Sequence, residues 1–148
     1  MAMFQVVVRG IIHNGNKILI GRKRDDWVHP LQGQWHLIGG KLEHDENPWV
    51  GVVREIKEET NVDVEPVKII DVGTSFVKWP DDSHPDEYVT FVLFECLPVG
   101  ENYIKAGDDV VEAKWIEAKE LGNYLKDDLK FLPEKGIKFF QKLGWKGE

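Results

Sequence analysis

Three glutamates that could bind a cation together lie close to one another in the chain: Glu55, Glu58 and Glu59. In a helix, which turns by roughly 100° per residue, their side chains share one face. Carboxylates this close repel one another, and a divalent cation relieves the repulsion. Oxygen ligands in this number suit Mg²⁺ or Mn²⁺, which proteins commonly hold together with substrate phosphates. The alternative is a solvated helix face on which Arg54 and Lys57 are neighbours of the glutamates.

The spacing around these glutamates is more specific than the helix face alone. Gly40 is followed after five residues by Glu46 and, after seven more, by the run 54–62, Arg-Glu-Ile-Lys-Glu-Glu-Thr-Asn-Val. This pattern resembles the Nudix box almost position for position. The single departure is Asn61, where that family has Gly. Asn is the non-Gly residue best suited to the left-handed conformation that often ends a helix, so little should be lost by the exchange.

The resemblance implies a set of metal ligands. It implies that Glu55, Glu58 and Glu59 bind or serve Mg²⁺ or Mn²⁺, and that the carbonyl of Gly39 is a further ligand. It also implies that a carboxylate accepts a proton from the attacking water. The base differs among members of the family, and Glu55 is our assignment here.

Other charged residues are expected to support these ligands. The resemblance implies that Arg54 and Glu46 form an ion pair that orients the carboxylates, a role in which supporting residues matter nearly as much as the ligands. The family often adds a distant acid from the segment before the last helix. Glu112 is the candidate and Asp109 the alternative, and an ordinary surface charge fits either residue equally well.

The implied reaction is metal-dependent hydrolysis of a nucleoside diphosphate linked to another group. Bound metals neutralise phosphate oxygens and lower the pKa of a water placed in line with phosphorus. The MutT-like look of residues 33–40 favours a (d)NTP pyrophosphohydrolase, and a nucleotide-sugar or ADP-ribose pyrophosphatase is the alternative. A non-catalytic nucleotide sensor is the alternative of another class. Such a sensor usually lacks some carboxylates of the Nudix box, and this sequence retains all of them.

Aromatic residues and one lysine beside the box could contact a nucleotide substrate. Trp27, Trp35 and Trp79 lie in or next to predicted loops, where an aromatic face could stack on a nucleobase or pack into the core instead. Lys41 follows the double glycine and could bind phosphate, although an exposed lysine without a role fits equally well. We therefore treat Trp35, Trp27 and Lys41 as candidate substrate-binding residues.

The remaining reactive side chains indicate no other chemistry. The histidines lack the spacing of zinc ligands, so no zinc site is predicted. The histidines considered, four of the five in the chain, are His29, His36, His44 and His84. Cys96 is the only cysteine and lies in an apolar run, which favours a buried inert thiol over a nucleophile.

The elements that must position these residues alternate between β and α patterns. Strands are predicted at 4–12, 17–22, 35–38, 67–77, 88–97 and 111–116, and helices at 47–60, 118–124 and 133–143. Asn14-Gly15 favours a tight hairpin turn, and Asn47 with Pro48 is typical of a helix start. The last helix is expected to pack on the core, with a dimerisation surface as the alternative. Together with the resemblance, this order predicts an α/β fold, a Nudix-type α/β/α sandwich with a mixed β-sheet.

Length, charge and composition limit the number of domains, the kinds of binding partner and the cellular location of the protein. At 148 residues, the chain fits a single domain covering 1–148. A net charge of −7 without a dense basic stripe argues against nucleic acid as a partner. The start lacks a basic signal region, and no later segment has membrane-spanning length, so we expect a cytoplasmic protein without a membrane partner. The expected partner is a nucleotide small molecule, with the chain as a monomer or homodimer.

Overall fold

The computed structural model describes residues 3–26, 28–80, 82 and 85–147. Trp27 and His84 lie outside the described residues. The strands are β1 (Met3–Asn14), β2 (Lys17–Lys23), β3 (Trp35–Lys41), β4 (Val64–Val77), β5 (Glu87–Pro98) and β6 (Val110–Glu117). The helices are α1 (Pro48–Thr60), α2 (Leu121–Tyr124) and α3 (Glu134–Leu143), with 3₁₀ turns at Ala118–Glu120 and Asp128–Phe131.

The strands form one mixed sheet in the order β4-β5-β1-β3-β2-β6. β1 and β5 run parallel, and the other neighbouring pairs are antiparallel. β1 and β2 pair only beside their turn, where His13 lies opposite Ile18. Beyond that point they separate, and β3 lies between them, with Leu37 opposite Ile20 and Gly40 opposite Val8. The end of β3 is therefore at the centre of the molecule.

Local sequence signals set both ends of α1, as predicted. The Asn47 side chain accepts a hydrogen bond from the Trp49 N–H at 2.9 Å, which satisfies one of the free donors of the first turn. The helix ends at Thr60, and Asn61 has the left-handed conformation with φ of 65°. The apolar stripe of the helix buries Val52 and Ile56 completely.

Two apolar clusters cover the two faces of the sheet. One joins α1 to the sheet, and its buried members include Val8, Ile12 and Phe94. The other joins α2 and α3 to the opposite face through residues such as Leu121 and Phe140. The predicted α/β sandwich with a mixed sheet is thus confirmed, and α3 packs on the core as expected.

Several element boundaries differ from those predicted, and β3 ends at Lys41 rather than at residue 38. β4 begins at Val64 rather than at residue 67, and it continues through Pro66 because the register shifts between Pro66 and Lys68. Such an irregularity accommodates a residue that has no N–H to donate. The helix predicted at 118–124 is a 3₁₀ turn followed by one α-helical turn. Across the described residues, no helix is long and apolar enough to cross a membrane.

Candidate active site

Two glycines at the end of β3 allow close packing, Gly40 against helix α1 and Gly39 against the backbone of β1. A Cβ on Gly40 would lie 2.5 Å from Glu55 Oε2, and a Cβ on Gly39 would lie 2.1 Å from the Val8 carbonyl oxygen. With no side chains there, α1 packs its carboxylates directly against the β3 backbone. The Gly39 N–H donates to Glu59 Oε1 at 3.1 Å, which fixes that carboxylate beside the strand.

A loop before β6 docks on the carboxyl end of α1 and brings further acids. Lys105 N–H donates to the Thr60 carbonyl at 3.0 Å, and Gly107 N–H donates to the Glu59 carbonyl at 3.1 Å. These bonds satisfy carbonyls that a helix end leaves free. A Cβ on Gly107 would lie only 2.6 Å from the Glu58 carbonyl oxygen, so the close approach requires glycine there. The two following residues, Asp108 and Asp109, therefore lie beside the helix.

The acids from α1 and from this loop form two overlapping clusters. Carboxylate oxygens of Glu55, Glu58 and Asp108 all lie within 4.8 Å of one another, and so do those of Glu59, Asp108 and Asp109. Glu55 and Glu59 are buried, whereas Glu58 and Asp108 are exposed. Asp108 belongs to both clusters, and the cluster oxygens are close enough to share a cation.

Burial and mutual repulsion shift the pKa values of these acids. Burial, contact with the Asp109 carboxyl and repulsion from Asp109 and Glu55 raise the pKa of Glu59 well above its usual value. Burial also raises the pKa of Glu55. Burial alone would raise the pKa of Asp109, but hydrogen bonds with Glu59 and Lys23 lower it to about 2. Within this pair, Glu59 therefore binds a proton more readily than Asp109.

These features fit a site that binds a divalent cation. Asp109 Oδ1 is buried and accepts no hydrogen bond from an N–H group of the described residues, although its neighbour Oδ2 accepts from Lys23 Nζ at 2.7 Å. Buried carboxylate oxygens normally have a donor or a cation beside them. A hard cation would satisfy this oxygen and would also offset the repulsion that raises the pKa values of Glu55 and Glu59.

Arg54 holds the carboxylates of α1 in place. Its Nε and Nη2 donate to the two oxygens of Glu46 at 2.6 and 2.7 Å, a two-point contact that fixes the guanidinium. Its Nη1 donates to Glu55 at 2.9 Å and to Glu58 at 3.2 Å. The hydrogen bonds from Arg54 lower the pKa of Glu46 to about 2. The structure thus brings together Glu46, Arg54 and the box glutamates.

A cavity of about 380 Å³ begins at the acids and extends across the sheet. The acidic end includes Gly39, Gly40, Glu55, Glu59, Asp108 and Asp109. The walls beyond it are mainly apolar, and the far end contains Lys41, Trp79 and Glu87. Two histidines line the cavity, and burial lowers the pKa of His29 to about 3 and that of His36 to about 4. Both are therefore neutral near pH 7.

Two of the residues predicted from sequence lie elsewhere. Glu112 is on the exposed face of β6, opposite Arg22, and accepts from Arg22 Nε at 3.3 Å, so it is not brought together with the other acids. Trp35 does not line the cavity. Its ring packs edge to face on Tyr124 with a centroid distance of 5.5 Å, and Lys114 Nζ lies 4.9 Å from its centroid.

Three other residues named from the sequence, Asp109, Lys41 and Trp79, line the cavity, together with two that sequence reasoning missed. Asp109, the alternative to Glu112, belongs to one acidic cluster, and Lys41 and Trp79 line the far end. Sequence reasoning missed Asp108 and Glu87. The signal for Asp108 was a glycine followed by two aspartates directly before a strand. Glu87 carried no local signal, because only the sheet brings it near Lys41.

A mixed sheet between helices, with an acidic helix held against a glycine pair beside a cavity, defines an α/β protein with acidic clusters that could hold a divalent cation. Residues 3–137 match the family profile described as NUDIX domain, and the chain belongs to this family.

Known proteins similar to this chain agree with the match. An ADP-ribose pyrophosphatase of Methanocaldococcus jannaschii is 35% identical over 141 residues, which cover 95% of this chain and 74% of that protein. The nucleoside triphosphatase NudI of Klebsiella pneumoniae is 27% identical over 126 residues, covering 81% and 86% of the two chains. The crystal structure of a MutT protein from Methanosarcina mazei has a TM-score of 0.68 at 23% identity, covering 96% and 94%, which shows a shared fold. The chain is accordingly a Nudix hydrolase acting on phosphoric anhydrides.

Proposed function

We propose that this hydrolase cleaves the diphosphate of a nucleoside diphosphate linked to a second group, with ADP-ribose as the first candidate substrate. The observation that carries the proposal is the position of the acidic clusters at one end of an elongated cavity. Phosphates would lie beside the acids through a shared cation, and an organic group would occupy the apolar part.

Each residue of the acidic end has a role in this proposal. Glu55, Glu58, Glu59, Asp108 and Asp109 would hold Mg²⁺ or Mn²⁺, with the Gly39 carbonyl as a further ligand. When bound, such a cation neutralises phosphate oxygens and lowers the pKa of water. Arg54, fixed by Glu46, keeps Glu55 and Glu58 in place. Glu55, which lies at the acidic end of the cavity, accepts the proton of the attacking water.

The length of the cavity favours a substrate with a group on each side of its diphosphate. Arg9, near the acidic end, pairs with Leu93 of β5, whereas Glu87 at the far end is six residues earlier on that strand. Six residues of a strand span roughly 20 Å. The relative of M. jannaschii carries the name ADP-ribose pyrophosphatase, which supports the same choice.

A (d)NTP, which the sequence favoured, is the second candidate substrate. The NudI relative, named a nucleoside triphosphatase, supports it. The two candidates yield different products. ADP-ribose would give AMP and ribose 5-phosphate, whereas a dNTP would give a nucleoside monophosphate and pyrophosphate.

The test is turnover of a substrate panel with Mg²⁺ and with Mn²⁺. The panel contains ADP-ribose, nucleotide sugars, the dNTPs and 8-oxo-dGTP, and products are separated by chromatography. We expect the highest kcat/KM for ADP-ribose. A higher value for a dNTP would favour the second candidate. Binding of the panel without any turnover would support a non-catalytic sensor instead.

Four other expectations from the sequence remain predictions. They are a single domain over 1–148, a cytoplasmic location, no nucleic-acid partner, and a monomeric or homodimeric state. Light scattering of the purified chain would determine the last of these.

A further inference from the structure

Glu87 is a buried carboxylate at the far end of the cavity. It is the first residue of β5, lines the cavity and is only 5% exposed. Its Oε1 accepts two hydrogen bonds, from Lys41 Nζ and from Trp79 Nε1, each at 3.1 Å. Within the described part of the chain, its Oε2 has no hydrogen-bond partner. A carboxylate can accept about four hydrogen bonds, so half of its capacity remains for a ligand.

The surroundings of Glu87 suit a flat ring. Val7, Val77, Val89 and Phe91 form apolar walls of the cavity near it. The ring of Trp79 also lines this end, with the edge of His29 against it at a centroid distance of 5.3 Å. Aromatic and apolar walls with one polar group that fixes orientation are typical of a site for a heterocyclic base.

The charges at this end exclude phosphate as the group that contacts Glu87. A carboxylate repels phosphate oxygens, and Lys41 Nζ is already held by Glu87 Oε1. Because Glu87 is an acceptor, its ligand must offer a donor. The exocyclic amino group of a nucleobase offers N–H donors at the edge of a flat ring, and acidic side chains accept from such groups in nucleic-acid recognition.

We propose that Glu87 is a specificity-determining residue, whose Oε2 accepts a hydrogen bond from the exocyclic amino group of the substrate base. The inference rests on the proposed function in taking a nucleotide as the ligand, and it narrows the substrate class to nucleotides with an amino-bearing base. Inosine nucleotides present a carbonyl oxygen in place of the amino group of adenine, and this oxygen is repelled by the carboxylate. Uracil and thymine lack an exocyclic amino group altogether.

Binding of AMP and IMP tests the proposal without any reaction. The two ligands differ at C6 of the base, and neither has a diphosphate to hydrolyse, so titration calorimetry in the presence of Mg²⁺ measures their Kd values. We expect the wild-type protein to bind AMP at least about tenfold more tightly than IMP, since leaving a buried acceptor unpaired is costly. In Glu87→Gln, the ratio should fall to under about threefold, because the amide can rotate to donate to the carbonyl of IMP.

Glu112→Gln is the matched control, because it makes the same chemical change on the exposed face of β6, outside the cavity. It should keep the wild-type ratio, and the melting temperature of each variant reports its folding. Equal binding of AMP and IMP by the wild-type protein would overturn the proposal, even if Glu87→Gln failed to fold. An unchanged ratio in a folded Glu87→Gln would also overturn it and would leave Glu87 as a counter-ion of Lys41.

The same ligands separate this proposal from the proposed function. Turnover of ADP-ribose without preference for AMP over IMP would sustain the hydrolase reaction and overturn the role of Glu87. Preference for AMP without turnover of any panel member would sustain the role of Glu87 and overturn the reaction.

Discussion

Glu59 is the most strongly constrained acid of the site. Its side chain is 1% exposed, and it lies beside Asp109 and Glu55, which both repel its negative charge. The Gly39 N–H donates to one of its oxygens. An amide in its place could still accept that hydrogen bond through its oxygen, but it would carry no charge to bind a cation. Glu59→Gln therefore separates the cation site from the fold.

We expect Glu59→Gln to lose activity while the metal-free protein stays at least as stable as the wild type. The rate loss should be at least about a hundredfold, or roughly 2.7 kcal/mol in the barrier. The metal-free protein should not lose stability, because the substitution removes the cost of a buried charge. Turnover and urea unfolding in EDTA measure the two effects. Near-wild-type activity, or a loss of more than about 2 kcal/mol in unfolding free energy, would assign Glu59 to the fold instead.

His36 should make the stability of the protein depend on pH. Burial lowers its pKa in the folded protein to about 4, whereas an unfolded chain binds that proton near pH 6.5. Between these values, the unfolded state holds more protons, so the unfolding free energy falls as pH decreases from about 6.5 to about 4. The contribution of His36 is on the order of 3 kcal/mol.

Comparison of the wild type with His36→Gln isolates this contribution. The His36 ring accounts for up to one proton of the difference between the unfolded and folded states, and the variant lacks it. Urea unfolding at intervals from pH 7 to pH 4, in EDTA, should therefore give a shallower pH dependence for the variant. Parallel curves for the two proteins would show that His36 is protonated in the folded state as readily as in the unfolded chain.

At the scale of single residues, sequence reasoning succeeded where the chemistry is local. Glu55, Glu58 and Glu59 share a helix face, and Arg54 and Glu46 pair as expected. It failed where contacts depend on distant segments. Asp108 joins the acids only because its loop docks on α1, a contact that no short-range pattern records.

Among the elements, α1 has the most local determinants. Its start depends on Asn47 and its end on Asn61. Both ends can be predicted from the sequence, because a capping residue acts within one turn of the helix. The Asn61 side chain also donates from Nδ2 to the Tyr103 carbonyl oxygen at 3.0 Å, a contact that the sequence could not reveal. Asn61 thus ends the helix and also joins it to the segment before the acidic loop.

Two substitutions separate these roles of Asn61. Asn61→Gly keeps the left-handed backbone but loses the hydrogen bond to Tyr103, so the unfolding free energy should change by under about 1 kcal/mol. Asn61→Ala loses the same hydrogen bond and, unlike Gly, keeps a Cβ without the polar group that lets Asn tolerate the left-handed conformation, at a cost of roughly 1–2 kcal/mol. Urea unfolding of both variants measures the difference. Equal stability of Gly and Ala at this position would contradict a left-handed helix end.

The order of the strands shows the limit of sequence reasoning for elements. The period-2 patterns located all six strands, with shifted ends for β4, because each pattern lies within its own segment. The insertion of β3 between β1 and β2 depends on pairing between segments and leaves no such pattern. The position of the glycine pair against α1 follows from that insertion, so the sequence indicated candidate site residues but not their arrangement.

For the whole molecule, the net charge of −7 and the acidic clusters indicate that anionic substrates need a cation. We expect turnover of the best substrate to require Mg²⁺ or Mn²⁺. The same cation should raise the melting temperature, because a ligand stabilises only the state that binds it. Glu59→Gln should show a smaller rise. Activity assays and thermal unfolding with and without metal test this, and full turnover in excess EDTA would contradict the metal requirement.

The acidic clusters join α1 to a loop that is far away in the sequence, which has a consequence for how long the native protein persists. A cation bound by both segments would act as a removable cross-link across a long stretch of chain. Contacts between distant segments tend to form late in folding, so the cross-link should slow unfolding more than it speeds folding. Removal of the metal would then shorten the native lifetime and increase sensitivity to proteases wherever cleavage outpaces reclosing, even under conditions where almost all molecules are folded.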